Sequence, residues 1–418
     1  MTRRTPLRRA TTAGALALLL TATGCGVLGG GDTASEGDVT FTVAAAGDIL
    51  IHPQLTEQAR ADAAAAGQKG EDAIDFGPIM AGIKPVISKA DLAICHLEPV
   101  LGEPAGPFES YPDFLVPPQI ATAIKNVGYD TCSTASNHTL DHGPEGVHRT
   151  LDVLDEAGIK HTGSARSQKE ADTPLIVDVK GVKVAQIAFS FGFNGREVPE
   201  DQPWLANKTS FKAIAAAERA ARAAGAEVVI LSIHWGRENR ANPSGSQIQL
   251  ARRIADKTGI NLVIGHHSHV VQPMEKVSGT WVAYSLGNQI ARHDIPTGLT
   301  EEGAIGWFEF TRRGEKWDVQ ARFVPTLVEV PGEEFDVPEH DPSFDLDAAE
   351  NAEDVAPAPG SSPEREHRLV DVAEAMRSNG KLDDEQRARY RMAFQRTEGT
   401  MLNRGAAKDG LKPLQGLP

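Results

Sequence analysis

The sequence predicts an α/β fold, and three observations carry that prediction. Apolar strand-like runs alternate with amphipathic, alanine-rich stretches as far as Leu262-Val263-Ile264, and a strand-dominated block then runs from Val270 to Val330. Five strand-like runs also lead into motifs of metal-ligand residue types: Gly47-Asp48, Leu97-Glu98, Asn137-His138, His234-Trp235-Gly236 and Gly265-His266-His267-Ser268-His269. In an open α/β sheet the C-terminal strand ends converge on one crevice, so groups far apart in sequence can meet there.

The elements follow in order. Val39, Phe41 and Val43 alternate with polar residues and open a first strand aimed at Gly47-Asp48. Stretches near 54–66 and 76–89 read as helices, and Asp91 to His96 as the second strand. Residues 99–118 are rich in Gly and Pro and carry Phe108, Tyr111 and Phe114, which makes this insertion a candidate substrate loop. Gly128 to Thr134 reads as the third strand. Glu145 to Ala157 reads as a helix, with Val147, Leu151 and Leu154 at helical spacing.

Leu175 to Val179 and Val182 to Ala188, split by Lys180-Gly181, predict a β-hairpin. A helix near 209–224 leads into the continuous apolar run Val228 to Ile233, a strand buried on both faces. Another helix, about 244–258, precedes Leu262-Val263-Ile264. Near the C-terminus, Leu369, Val372, Ala373 and Met376 fall on one helical face, and a second helical segment spans about 383–396. This helical appendage, residues 364–418, either packs on the domain or binds a partner.

Composition bounds the function. With 40% apolar and 24% charged residues over 418 positions, the chain suits one large α/β domain with appendages. At the N-terminus, Arg3, Arg4, Arg8 and Arg9 precede a short apolar stretch, Ala13 to Leu20, and then Ala22-Thr23-Gly24-Cys25. Residues 1–24 therefore read as a lipoprotein signal peptide, with Cys25 as the lipidation site, and 25–38 as a flexible tether. An ordinary secretory signal with an incidental cysteine is the alternative, and Thr2-Arg3-Arg4 leaves twin-arginine export open beside Sec.

The formal charge is −15, and removal of residues 1–24, which carry four arginines and no acid, takes it to −19. Such a surface repels nucleic acid and anionic polymers unless a metal or a local basic patch intervenes. Residues 331–363 are dense in Asp, Glu and Pro and predict a disordered linker. Beyond Cys25 only Cys95 and Cys132 remain. Export permits a disulfide between them, and two small buried hydrophobes in neighbouring strands are the simpler reading.

The motifs themselves carry a resemblance. Val43-Ala44-Ala45-Ala46-Gly47-Asp48, His96-Leu97-Glu98-Pro99, Ala135-Ser136-Asn137-His138-Thr139-Leu140-Asp141, Ser232-Ile233-His234-Trp235-Gly236 and the run from Gly265 to Asn288 are similar to those of the bacterial CapA family, associated with poly-γ-glutamate capsule synthesis. The resemblance covers roughly residues 39–330. It implies the calcineurin-like metallophosphoesterase fold, a four-layer α/β/β/α sandwich with two packed mixed sheets.

It further implies a dinuclear site holding two divalent metal ions. Mixed oxygen and nitrogen donors admit Mn, Fe, Zn or Mg. Carried over residue by residue, Asp48 becomes a ligand of one metal, Glu98 the bridging carboxylate, and Asn137 an amide ligand of the second. His234, His267 and His269 supply imidazoles, and His138 becomes the catalytic general acid. His52, four residues beyond Asp48, is a further candidate ligand if the intervening loop is irregular. His96 stands where the family usually has Asn, and His266 where it has a small residue; each is an extra ligand, a substrate contact or a neutral variation. His96, Arg237 and Asn288 are candidate substrate contacts, although loop charge and loop ordering also account for Arg237 and Asn288. Trp204, Trp235 and the aromatics of residues 99–118 offer a platform for a sugar or peptide, with core packing the alternative.

Two functions follow as expectations. One is a lipid-anchored, extracytoplasmic hydrolase acting on a phosphoester or related bond in capsule or wall polymer. The other is a non-catalytic accessory protein that binds the polymer or its synthase.

Overall fold

The structure, a computed structural model, describes residues 39–293, 298–330, 366–378 and 382–415. The signal peptide, Cys25, the tether and the acidic linker lie outside the described residues.

Sixteen strands are described: β1 (Thr40–Ile49), β2 (Leu92–Leu97), β3 (Val100–Leu101), β4 (Leu115–Val116), β5 (Thr131–Ser133), β6 (Lys160–Thr162), β7 (Leu175–Val179), β8 (Val182–Ser190), β9 (Val228–His234), β10 (Leu262–His266), β11 (Met274–Val277), β12 (Thr280–Ala283), β13 (Asn288–Ile290), β14 (Glu302–Arg313), β15 (Lys316–Glu329) and β16 (Arg368–Asp371). The first sheet runs β16-β15-β14-β1-β2-β5-β6, with β13 also on β1; the second runs β11-β12-β10-β9-β8-β7. Both are mixed. The pairs β1–β2, β2–β5, β8–β9 and β9–β10 are parallel, and β1–β14 and β7–β8 antiparallel.

Side-chain alternation along the strands builds the layers. Phe41, Val43 and Ala45 of β1 meet Val184, Val228, Ile230, Leu262 and Ile264 in a core between the sheets. Ala44 and Ala46 face the other way, onto Leu55, Ala59, Ile79 and neighbouring helical residues. On the far side, Val229, Leu231, Ile233 and Val263 pack against Ile214, Ala221, Ala251 and Ile254 of the helices Phe211–Ala223 and Gly245–Lys257. Three apolar interfaces make the four layers that the resemblance implies.

Several expectations change in detail. The helix expected over 76–89 is three pieces, Gly77–Met80, a 3-10 turn at Ala81–Ile83, and Lys84–Ile87. Pro85 lacks the N–H that a continuous helix would use there, whereas Pro78 sits in the first turn, where proline is tolerated. Leu369 lies in a strand, because β16 pairs antiparallel with β15, Leu369 opposite Val328, and satisfies backbone groups that an open sheet edge would leave unpaired. The helix begins only at Val372.

The last helix, Asp384–Leu402, is longer than expected and opens with a capping box formed by Asp383 and Gln386. It is fastened to the sheet by polar contacts. Arg389 Nη2 donates to Gly298 O at 3.0 Å, Arg389 also pairs with the buried Glu302, and Tyr390 Oη donates to Glu329 at 2.6 Å. Cys95 and Cys132 are buried and lie in neighbouring strands, but they are not free thiols. Directly opposed across β2 and β5 with Cα atoms 4.5 Å apart, they form a disulfide. None of the described helices is long and apolar enough to cross a membrane.

Candidate metal centre

Parallel pairing brings the motifs together. β1 ends at Asp48 and Ile49, β2 delivers Glu98 one residue past its end, β9 ends at His234, and β10 ends at His266. Gly47 permits one very close approach. A Cβ there would sit 2.1 Å from Gly287 O, so only glycine lets the Gly287 carbonyl close on Asp48, whose N–H donates to it at 2.9 Å. Gly265 does the same on β10, since a Cβ would fall 2.0 Å from Tyr284 O. Just beyond, His267 and His269 hold φ of 93° and 56°. Left-handed backbone at non-glycine residues costs on the order of 1–3 kcal/mol each and persists where the surroundings enforce it, commonly at functional sites.

Donor atoms of Asp48, Glu98 and His269 lie within 4.8 Å of one another, and so do those of Glu98, His234 and His267. Glu98 belongs to both groups. Asn137 Oδ1 is 2.8 Å from His234 Nε2 and so joins the second. The six expected ligands are thus brought into one buried cluster.

The hydrogen bonds fix how several of them face. Asn288 Nδ2 donates to the carbonyls of His269, at 3.2 Å, and Thr300, at 2.8 Å, which leaves Oδ1 as acceptor for His269 Nδ1–H at 3.0 Å. Nε2 of His269 is then the nitrogen with a lone pair, 3.8 Å from Glu98 Oε1. Asp48 accepts from His266 Nδ1 at 2.9 Å and from the His267 backbone N–H at 3.0 Å.

Charge follows from this packing. Burial alone would raise the Asp48 carboxyl, but the bond from His266 and the nearby imidazoles outweigh it and hold Asp48 at about 2. Glu98 is pushed well above the usual carboxylate range, first by burial and then by Asp48, Glu238 and Asp141. Burial also lowers the histidines, His267 to about 3 and both His96 and His234 well below their ordinary value, so all three are neutral near pH 7.

The donor set fits divalent cations. Both Glu98 oxygens, His267 Nδ1 and His266 Nε2 are buried without a hydrogen-bond partner among the described residues. Orphaned polar atoms of this kind carry a desolvation cost that a cation would relieve.

Other expected residues are placed differently. Among the described residues His52 belongs to none of the ligand groups: its Nδ1 lies 3.1 Å from Leu50 O and its ring packs 4.8 Å from His293. His96 is no substrate contact, because it is fully buried with both ring nitrogens bonded. Asn288 spends its amide on ordering His269 and the Thr300 loop. Arg237 is exposed on the loop after β9 and carries no side-chain hydrogen bond or ion pair among the described residues. Trp235 is core, donating to Tyr284 O at 2.9 Å.

Sequence reasoning passed over several neighbours. His138 Nδ1 donates to Asp141 Oδ2 at 2.6 Å, and Arg196 bridges Asp141 and Asp113 at 3.3 and 2.6 Å. The spacing Asn137-His138-x-x-Asp141 within one turn was the available signal. Glu238, exposed on the loop after β9, offers a carboxylate oxygen within 4.8 Å of His267 and His269 donors. Phe191 stays 45% exposed although its ring lies 4.6 Å from that of His267. No motif announces either one.

Comparison with known proteins now decides the family. The family model described as "Bacterial capsule synthesis protein PGA_cap" matches residues 42–293. The chain belongs to that family. Among relatives, the capsule biosynthesis protein CapA of Bacillus anthracis is 30% identical over 170 residues, 40% of this chain and 41% of that protein. The PGA biosynthesis protein CapA of Bacillus subtilis is 29% identical over 193 residues, 46% of this chain and 50% of that one. A probable polyglutamine synthesis accessory protein of Mycobacterium tuberculosis is 29% identical over 184 residues, 41% and 48% of the two chains.

The matches thus span half or less of these relatives. A calcineurin-like phosphoesterase of Bacillus subtilis covers 68% of the chain, and 90% of its own, at 16% identity and TM-score 0.38. A putative 5'-nucleotidase of Staphylococcus aureus covers 68%, and 54% of its own, at 14% identity and TM-score 0.40. Likeness at this level speaks to neither activity nor substrate.

Proposed function

We propose that this member of the capsule synthesis family is a dinuclear metal-dependent hydrolase that cleaves a phosphoester or related bond in capsule or cell-wall polymer, held at the extracytoplasmic membrane face through Cys25. One observation carries the reading. Glu98 is shared by two groups of buried donors while neither of its oxygens has a hydrogen-bond partner among the described residues.

In this reading Asp48, Glu98 and His269 hold one cation, and Glu98, Asn137, His234 and His267 the other. Divalent ions there supply Lewis acidity and lower the pKa of water. The chain's own residues do the rest. Asp141 accepts from His138 Nδ1 and fixes the ring, so that Nε2 is the nitrogen from which a proton reaches the leaving group. Arg196 holds Asp141 in place and ties it to Asp113. Exposed Arg237 is available to an anionic substrate at the rim. The sequence of residues 1–25 supports the lipid anchor, and the net charge argues against nucleic acid as substrate.

The test is metal content and phosphodiester hydrolysis by the purified protein beside Asn137→Ala and His138→Ala. The reading expects bound divalent metal and hydrolysis that both substitutions abolish, with metal retained in His138→Ala. A metal-free, inert wild type contradicts it. The accessory reading draws support from the name of the mycobacterial relative. It expects full cellular function from a folded His138→Ala protein, with the polymer synthase as partner.

A further inference from the structure

Behind the donor cluster lies a chain of buried hydrogen bonds that the proposed chemistry does not use. His96 Nδ1 is 2.7 Å from Ser133 Oγ, and His96 Nε2 is 3.0 Å from His234 Nδ1. His234 Nε2 in turn is 2.8 Å from Asn137 Oδ1, and Ser133 Oγ reaches Cys95 O at 3.4 Å. All four side chains are buried, and the His96 ring stacks on His266 at 4.0 Å.

We propose that His96 is a positioning residue that sets the tautomer of His234, holding the proton on Nδ1 so that Nε2 and the Asn137 oxygen present two lone pairs to one divalent cation. The assignment rests on the dinuclear reading above.

The bonding permits two directions. In one, Ser133 Oγ–H donates to His96 Nδ1, His96 Nε2–H to His234 Nδ1, and His234 Nε2–H to Asn137 Oδ1. This direction satisfies the chain but blocks Nε2 as a ligand. In the other, His234 Nδ1–H donates to His96 Nε2, His96 Nδ1–H to Ser133 Oγ, and Ser133 Oγ–H to the Cys95 carbonyl. Nε2 is then free to ligate.

Both directions contain the same three protons. They interconvert by ordinary exchange with water, one proton leaving for each that arrives, so no charge is left in the interior. An imidazole at position 96 suits this task because each of its nitrogens can exchange donor for acceptor. Partners behind a metal-ligating histidine fix its ring and tautomer, and their loss typically lowers metal affinity about 10- to 100-fold. A leucine or phenylalanine at position 96 would leave His234 Nδ1 buried with no acceptor.

The experiment measures Mn(II) and Zn(II) affinity of the purified full chain by chelator competition, with heteronuclear NMR of the imidazole nitrogens on the same samples. His96→Phe, which keeps a ring against His266, is expected to weaken binding about 10- to 100-fold. His96→Gln, whose amide oxygen can accept from His234 Nδ1–H, is expected to recover most of that loss. In the metal-loaded wild type the His234 proton is expected on Nδ1.

A folded His96→Phe protein that binds as the wild type overturns the assignment, as does a His234 proton found elsewhere. Should His96→Phe fail to fold, Ser133→Ala removes only the acceptor at Nδ1. It is expected to weaken binding severalfold, and unchanged affinity overturns the proposal. A wild type that binds neither ion overturns the dinuclear reading and this assignment together, whereas wild-type binding that His96→Phe leaves intact overturns this assignment alone.

Discussion

Replacing Glu98 by Gln should stabilise the metal-free protein and destroy its capacity to be stabilised by metal. Carboxylate oxygens of Asp48 and Glu98 lie within 4.8 Å, and at an effective dielectric of about 20 two like charges at that separation repel by roughly 3 kcal/mol. The sign follows from linkage. The folded-state pKa of Glu98 is raised above its ordinary 4.5, so the wild type loses stability as pH rises from 4.5 through that higher value, whereas Gln does not titrate.

Thermal melts in chelator at pH 8 should place Glu98→Gln above the wild type by up to roughly 3 kcal/mol, about 4 °C on the usual scaling of melting entropy with chain length. The gap should close as pH falls toward 4.5. Saturating Mn(II) should then reverse the order, since ligand at about 1,000 times its dissociation constant adds about 4 kcal/mol to a protein that binds it. Should Glu98→Gln melt below the wild type in chelator, or gain as much from Mn(II), the reasoning about an orphaned bridging carboxylate is refuted.

Other outcomes follow from the same geometry. Asp141→Asn should cost about 10²- to 10⁴-fold in hydrolysis with metal content unchanged, because it removes the carboxylate that faces His138 Nδ1 and Arg196 but none of the ligand side chains; equal turnover or lost metal would contradict that. Acid should destabilise the chelated protein. His267 has a folded pKa of about 3, below its ordinary 6.5, so its contribution is complete above 6.5 and is lost as pH falls toward 3. Urea unfolding should register roughly 2 kcal/mol for His267 between pH 6.5 and 5, and equal stability at both would count against a neutral buried imidazole there. Arg389→Ala should cost about 2 kcal/mol by removing a charged hydrogen bond to Glu302, which Arg396 still pairs, and an unchanged melting temperature would show that the C-terminal helix is not fastened there.

Much of the fold and centre was legible in the sequence because both rest on local patterns. Val228 to Ile233 reads as a doubly covered strand from its apolar run, and Asp48, Glu98, His234 and His267 are legible because polar ligand types follow such runs directly. What stayed hidden depends on distant partners. Leu369 has helical spacing with Val372 and Met376, yet the open edge of β15 recruits it into a strand. His96 looks like a residue that touches substrate until β5 and β9 are placed on either side of it, with Ser133 and His234 at its two nitrogens. Composition allows Cys95 and Cys132 to be thiols or a disulfide, and only their facing register decides. Glu238 and Phe191 sit on loops whose course no periodicity encodes.

The central claim is that Glu98 is shared between two cations. Anomalous diffraction from crystals equilibrated with Mn(II) tests it most directly. The account predicts two peaks about 3.5–4 Å apart flanking the Glu98 carboxylate, one beside Asp48 and His269 and the other beside Asn137, His234 and His267. A single peak away from Glu98, or none at saturating metal, would contradict it.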